Sequence, residues 1–132
     1  MTTRPAFAFL DSERVVPQAL QQIILRDFAQ KNNFAIEFVG AEIYGTEYSH
    51  MLLRSYIEED RWPAYIFFSV HQFIQGSKFI FTSLEKAVEL KVPCLFAAEQ
   101  IMIQTVDELS ELRTQIAVSV TFNKHKAYSI RN

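Results

Sequence analysis

Glycine is scarce in this sequence: three residues in 132, with four prolines, three histidines and a single cysteine. Glycines at positions 40, 45 and 76 cannot build a glycine-rich phosphate loop, and with so few prolines there is no low-complexity linker and no collagen-like period. Cys94 alone cannot form an intramolecular disulfide. His50, His71 and His125 offer neither C-x-x-C nor H-x-x-x-H spacing, so no metal site and no cofactor is expected. A reducing cytoplasm suits such a chain. No apolar run approaches the ~20 residues that span a bilayer, and MTTRPAFAFLDSER reaches charge again after Leu10, too soon for a signal-peptide core. The expectation is a cytoplasmic protein without membrane insertion. Positive charge is also in short supply: 13 basic against 15 acidic side chains give a net charge of -2 and a pI near 5.9. A general nucleic-acid partner is therefore not expected, and the locally basic NKHKAYSIRN reads as a solvated end.

What the chain has in abundance is aromatic and aliphatic surface. Twelve Phe, five Tyr and one Trp within a 49% hydrophobic composition can bury enough apolar area to exclude intrinsic disorder. The length suits a single domain, 1–132, with one core.

Short apolar runs alternate with longer amphipathic ones, the pattern of β-α units. Ala6 to Leu10 reads as a strand. Pro17, suited to a first helical position, opens a helix to about Lys31 whose inner stripe is Leu20, Ile23, Ile24 and Phe28. Asn32 and Asn33 stop it, and Phe34 to Val39 is a second strand closed by Gly40. Gly45 to about Asp60 reads as a helix, Ala64 to Val70 as a buried strand, Ser77 to Leu90 as a helix, and Val92 to Ala98 as a fourth strand. Thr105 with Glu108 forms a T-x-x-E capping box ahead of a last helix. Ala117 to Phe122 fits either a fifth strand or an arm on a neighbouring subunit. Helices between successive strands require right-handed crossovers, which predicts a three-layer α/β/α sandwich with a mainly parallel sheet of four to five strands.

Ligands of such sheets bind beyond the carboxyl ends of the strands, where loops and helix N-termini converge. In the first of these loops Ser12 and Arg14 are placed to meet an anionic or hydroxyl-rich ligand, although Asp11 and Ser12 equally shape a turn. Glu42 and Tyr44 follow the second strand, Glu42 as an acid/base or hydroxyl-binding carboxylate or as a solvated loop residue. After the third come Ser69, His71 and Gln72; Ser69 and Gln72 suit binding, and His71 is of the residue type that can carry a proton near neutral pH. Ser69 lacks the G-x-S-x-G elbow of a hydrolase nucleophile and is equally a structural serine. Glu99 follows the fourth, either in acid/base work or bonded to a neighbouring loop. Cys94 is a small core residue. Tyr44 and Phe73 are loop aromatics suited to stacking on a ring.

The run RVVPQALQQIILRDFAQKNNF, the strand end FFSVHQF and the segment VPCLFAAEQIMI resemble the sporadic carbohydrate cluster family, small uncharacterised proteins encoded among bacterial surface-polysaccharide genes. The resemblance spans about Ala6 to Ile116. The family pattern falls on Val16-Pro17-Gln18, Arg26-Asp27-Phe28, Glu42, Ser69 with Gln72, and Glu99, with Ala29 where the family has a cysteine and a different residue at the place of His71. A weaker likeness, at the level of the fold, is to the catalytic domain of serine recombinases, whose paired arginines and basic DNA-binding module this acidic chain lacks.

The resemblance implies a place in surface-polysaccharide synthesis rather than a particular reaction; joined to the strand-end reading, the expectation is an enzyme or enzyme-like protein acting on a sugar or nucleotide-sugar, with Glu42 and Glu99 as the acid/base pair and Ser12, Arg14, Tyr44, Ser69, His71 and Gln72 binding substrate. A non-catalytic homo-oligomeric module that binds a pathway enzyme is the alternative expectation, and phosphodiester chemistry on nucleic acid the third.

Overall fold

The structure, a computed structural model, describes residues 3–11, 16–41, 51–74 and 79–116. The elements run β1 (Arg4–Leu10), α1 (Gln18–Lys31), β2 (Phe34–Ala41), α2 (Met51–Glu58), β3 (Tyr65–Phe67), α3 (His71–Ile74), α4 (Phe79–Glu89), β4 (Cys94–Phe96) and β5 (Ile101–Ile103). A further helix, α5, covers residues 106–116. The strands form one five-stranded sheet in the order β2-β1-β3-β4-β5. All neighbours are parallel except β4 and β5. The chain is thus a mixed α/β fold on a mostly parallel sheet.

Alternation along the strands divides the core in two. Phe7, Phe9, Tyr65, Phe67, Cys94 and Phe96 point one way and cluster with Leu53 of α2, Leu84 and Val88 of α4, and Leu109 and Leu112 of α5. Ala6, Ala8, Ala64, Ile66, Leu95 and Ala97 point the other way and meet Leu25, Phe28 and Ala29 of α1. One face of the sheet is aromatic; the other mixes alanines with Leu10, Phe34, Ile66, Phe68 and Leu95.

The burial along α1 corrects its expected inner stripe. Leu20 and Ile23 are 46% and 65% exposed, while the buried residues are Gln21, Leu25, Phe28 and Ala29. The helix is rotated so that Gln21, Leu25, Phe28 and Ala29, rather than Leu20 and Ile23, face the sheet.

Other boundaries also move. The third strand stops at Phe67, because α3 begins four residues later. The ladder nevertheless continues through Ala97 N–H to Phe67 O and Ala98 N–H to Phe68 O. Ile101 to Ile103, not assigned a structure from sequence, return antiparallel as β5. The expected capping box forms: Thr105 Oγ1 accepts the Glu108 N–H at 3.2 Å and Glu108 Oε1 accepts the Thr105 N–H at 3.1 Å. Ala117 to Phe122 and most of the stretch from Gly45 to Met51 lie outside the described residues.

Few glycines means that helices must stop without them. Asn33, Asp60 and Lys91 take left-handed φ values of 63°, 51° and 62° just beyond α1, α2 and α4. Behind Lys91 the Val92 N–H reaches Ala87 O at 2.9 Å, and behind Asp60 the Arg61 N–H reaches Tyr56 O at 3.0 Å. These are the bonds of a Schellman stop, which normally employs glycine. Lys91→Gly is expected to raise stability by about 0.5–1 kcal/mol by removing the Cβ penalty, less the extra freedom glycine has when unfolded. A urea titration checks it. Gly40 is needed for a different reason: a Cβ there would sit 3.0 Å from Phe7 Cζ.

Candidate functional site

Strand order alone marks a place. β1 hands the chain through α1 leftward to β2, and β3 hands it through α4 rightward to β4, on opposite faces of the sheet. The connections diverge above β1 and β3, and such a topological switch point leaves a crevice at the strands' carboxyl ends.

Ser69 lies two residues beyond Phe67, and Glu99 three beyond Phe96, which pairs with Phe67. That register brings together residues 30 apart in sequence. Ser69 Oγ–H donates to Glu99 Oε2 at 2.7 Å, and the Val70 N–H donates to Glu99 Oε1 at 3.0 Å. Gln100, with φ 56°, turns the chain sharply into β5 directly behind the carboxylate.

Gln72 closes the same corner from below. Its Oε1 accepts the Ser69 N–H at 2.9 Å, and its Nε2 approaches Phe9 O and Leu10 O at 3.4 and 3.3 Å. The side chain therefore spans the switch point from β3 to β1. Above β1, the Asp11 N–H donates to Gln21 Oε1 at 2.8 Å, while Gln21 Nε2 donates to Asp11 O and Val16 O, both at 2.9 Å. Asp11, Gln21, Ser69 and Gln72 are the buried polar residues among those described. They form one chain of hydrogen bonds across the carboxyl end of the sheet, from α1 to the β4–β5 turn.

Of the residues expected at the site, the structure thus unites Ser69, Gln72 and Glu99. Ser12, Arg14, Glu42 and Tyr44 lie outside the described residues, and His71 is placed only as the first residue of α3. Phe73 is no stacking platform: it is 1% exposed and meets the rings of Phe67 and Phe96 edge-on at 4.8 and 5.5 Å. Gln21 was not anticipated. Its signal was available as a lone amide at the first position of the i, i+4, i+7, i+8 stripe that α1 buries.

Chemically, each Glu99 oxygen accepts one hydrogen bond from the described residues, and a carboxylate oxygen has a second lone pair that suits a ligand hydroxyl. Ser69 is enclosed, so its hydroxyl serves the carboxylate. A groove of about 300 Å³ adjoins this corner on the α1 side, walled by Ile24, Phe28, Lys31, Ala97 and Gln100. Among the described residues no group of His, Cys, Asp and Glu is arranged to hold a metal ion, and no helix is long and apolar enough to cross a membrane.

Cys94 takes no part. It is 1% exposed, and desolvation by burial pushes its thiol from an ordinary 9.0 up to about 12. The folded chain keeps this proton where the unfolded chain releases it, so stability is full below about pH 9 and falls between pH 9 and about 12. Burial likewise raises the phenol of neighbouring Tyr65, adding to that alkaline fall. Cys94→Ala should make the decline from pH 8 to 10.5 shallower in urea titrations, and iodoacetamide at pH 8 should label Cys94 only after unfolding.

No protein-family model matches the chain, and no curated protein matches it.

Proposed function

We propose that this chain is an enzyme or enzyme-like protein of bacterial surface-polysaccharide biosynthesis, acting on a sugar or nucleotide-sugar at the carboxyl ends of β1, β3 and β4. One observation carries the reading: Glu99 is held at the switch-point crevice by Ser69 and Val70 through one hydrogen bond to each oxygen, and a carboxylate oxygen has a second lone pair. Around it the described strand ends, 10–11, 68–72 and 97–100, contain two carboxylates, two amides, a hydroxyl and an imidazole and neither Lys nor Arg. Those are partners for sugar hydroxyls. A phosphate would call on Arg14 of the first loop or on Lys31 in the wall of the adjoining groove. In this reading Glu42 joins Glu99 as the acid/base pair, and Ser12 and Tyr44 line the ligand. The resemblance to sporadic carbohydrate cluster proteins supports it. A three-layer α/β/α sandwich formed by residues 1–132 and a cytoplasmic setting belong to the same proposal, the layering supported by the two separate clusters on the sheet.

The test is a thermal-shift series with UDP-glucose, UDP-N-acetylglucosamine and their free sugars. Ligand at about 100 times its Kd adds roughly 2.7 kcal/mol, which appears as a higher Tm. A chain that gains no stability from any of them does not act on these compounds.

The alternative, a homo-oligomeric module without catalysis, is favoured by one observation: Leu20 and Ile23 lie exposed on α1. Light scattering of Ile23→Lys against the wild type separates the two, since only an oligomer built on α1 loses mass.

A further inference from the structure

Ser69 and Gln72 stand three residues apart at the start of α3, the spacing of a capping box, and Gln72 Oε1 accepts the Ser69 N–H at 2.9 Å as such a box requires. A helix of four residues gains little stability from a cap. The other end of the same amide does what a cap does not: Nε2 reaches out of α3 to Leu10 O at 3.3 Å and Phe9 O at 3.4 Å on β1. Between these strands the Phe68 N–H donates to Phe9 O at 3.2 Å, and after Ser69 the chain leaves the sheet for α3. The amide of Gln72 thus stands in for the next peptide of β3, one atom turned to β3 and one to β1.

The segment that Gln72 holds is also the segment that holds Glu99. The Ser69 hydroxyl donates to Oε2 at 2.7 Å and the Val70 N–H to Oε1 at 3.0 Å, so displacing Ser69 would move both donors together. Gln72 is 3% exposed and both atoms of its amide face backbone, so its influence on a ligand runs through Glu99. We propose that Gln72 is the positioning residue for Glu99: it fixes Ser69 and Val70 against the end of β1, and they set where the carboxylate stands in the crevice. That Glu99 addresses a ligand rests on the sugar or nucleotide-sugar reading above; the positioning of its carboxylate does not. Met or Leu would fill the same buried space, so packing does not require an amide at this position.

The test is amide NMR on the intact chain with Gln72→Met, close in size and flexibility but unable to bond at either end. In the wild type the Val70 proton enters a charge-assisted bond, and Glu99→Gln should shift its resonance. Gln72→Met, with Glu99 in place, should shift that resonance in the same direction by at least half as much. It should also speed Val70 exchange at least about tenfold, while Ile66 and Leu95 in the sheet centre change by less than about threefold. An unmoved Val70 resonance, or an equal rise in exchange throughout the sheet, overturns the proposal; the second outcome would make Gln72 a general stability residue. Should Gln72→Met fail to fold, the wild type still decides: the Val70 amide and a Gln72 Nε2 proton must both exchange slowly, and rapid exchange of either overturns the proposal. Titration with UDP-glucose then addresses the ligand. Gln72→Met should weaken binding about tenfold, and unaltered affinity beside a displaced Val70 resonance overturns the influence on binding. A wild type that binds no UDP-sugar refutes the functional reading and leaves the positioning of Glu99 to be judged by Val70.

Discussion

Phe67→Ala should lower the unfolding free energy by about 3–5 kcal/mol, a fifth or more of the roughly 5–15 kcal/mol that native domains command. Register aligns Phe9, Phe67 and Phe96 across three adjacent strands. Phe67 stacks on Phe9 at 5.4 Å and on Phe96 at 5.3 Å, and Phe73 closes over it edge-on at 4.8 Å. Truncation leaves a void walled by three rigid rings that cannot collapse into it, and it removes three ring pairs worth about 0.5–1.5 kcal/mol each. Phe67→Leu fills much of that void and should lose roughly half as much. In urea the midpoint should fall with the slope unchanged. A loss under 1 kcal/mol for the alanine variant would show that the aromatic face is not the main store of stability. The consequence reaches the crevice, because Phe73 adjoins Gln72, whose amide ties β3 to β1.

Glu99 separates structure from chemistry through two substitutions. Glu99→Ala leaves the Ser69 hydroxyl and the Val70 N–H without their acceptor, and because the site is only partly shielded from water the expected loss is about 2 kcal/mol. Glu99→Gln keeps an oxygen for Val70 and offers an N–H to Ser69, whose hydroxyl can turn to accept it. Its stability should stay within about 1 kcal/mol of the wild type. If Glu99 works as general acid or base, the same variant should lower turnover of a sugar nucleotide about 10²–10⁴-fold. Denaturation together with turnover on whichever UDP-sugar raises the wild-type Tm decides the matter. Full turnover in Glu99→Gln would restrict the residue to holding β3 and β4 in register.

The apolar strands and the polar residues that end them were legible from sequence because burial on both faces produces continuous runs such as AYIFFSV and VPCLFAA, which stop abruptly at Ser69 and Glu99. The rotation of α1 was not. Leu20-Ile23-Ile24-Phe28 and Gln21-Leu25-Phe28-Ala29 are both helical stripes and share Phe28. Hydropathy favours the first, but the second lets Gln21 pair with the backbone of Asp11 and Val16, and that pairing is not visible until β1 and α1 are side by side. β5 was missed because its turn, Ala97 to Gln100, contains no Gly, Pro or Asn; its sharp bend falls on a left-handed Gln100. Glu42, Ser12, Arg14 and Tyr44 rest on the sequence argument alone.

The polar chain along the carboxyl end of the sheet is held together by amides, a hydroxyl and backbone groups, and the carboxylates in it belong to Asp11 and Glu99. Mobile ions screen charges and leave dipoles paired at 2.8–2.9 Å, such as those of Gln21 with Asp11, almost untouched. Ionic strength therefore acts on the two halves of the crevice unequally. The shape imposed by Gln21 and Gln72 should persist from dilute buffer to molar salt, while any attraction between Arg14 and a charged ligand fades. Salt is thus a means of measuring, on one unmodified chain, how much of its binding comes from form and how much from charge.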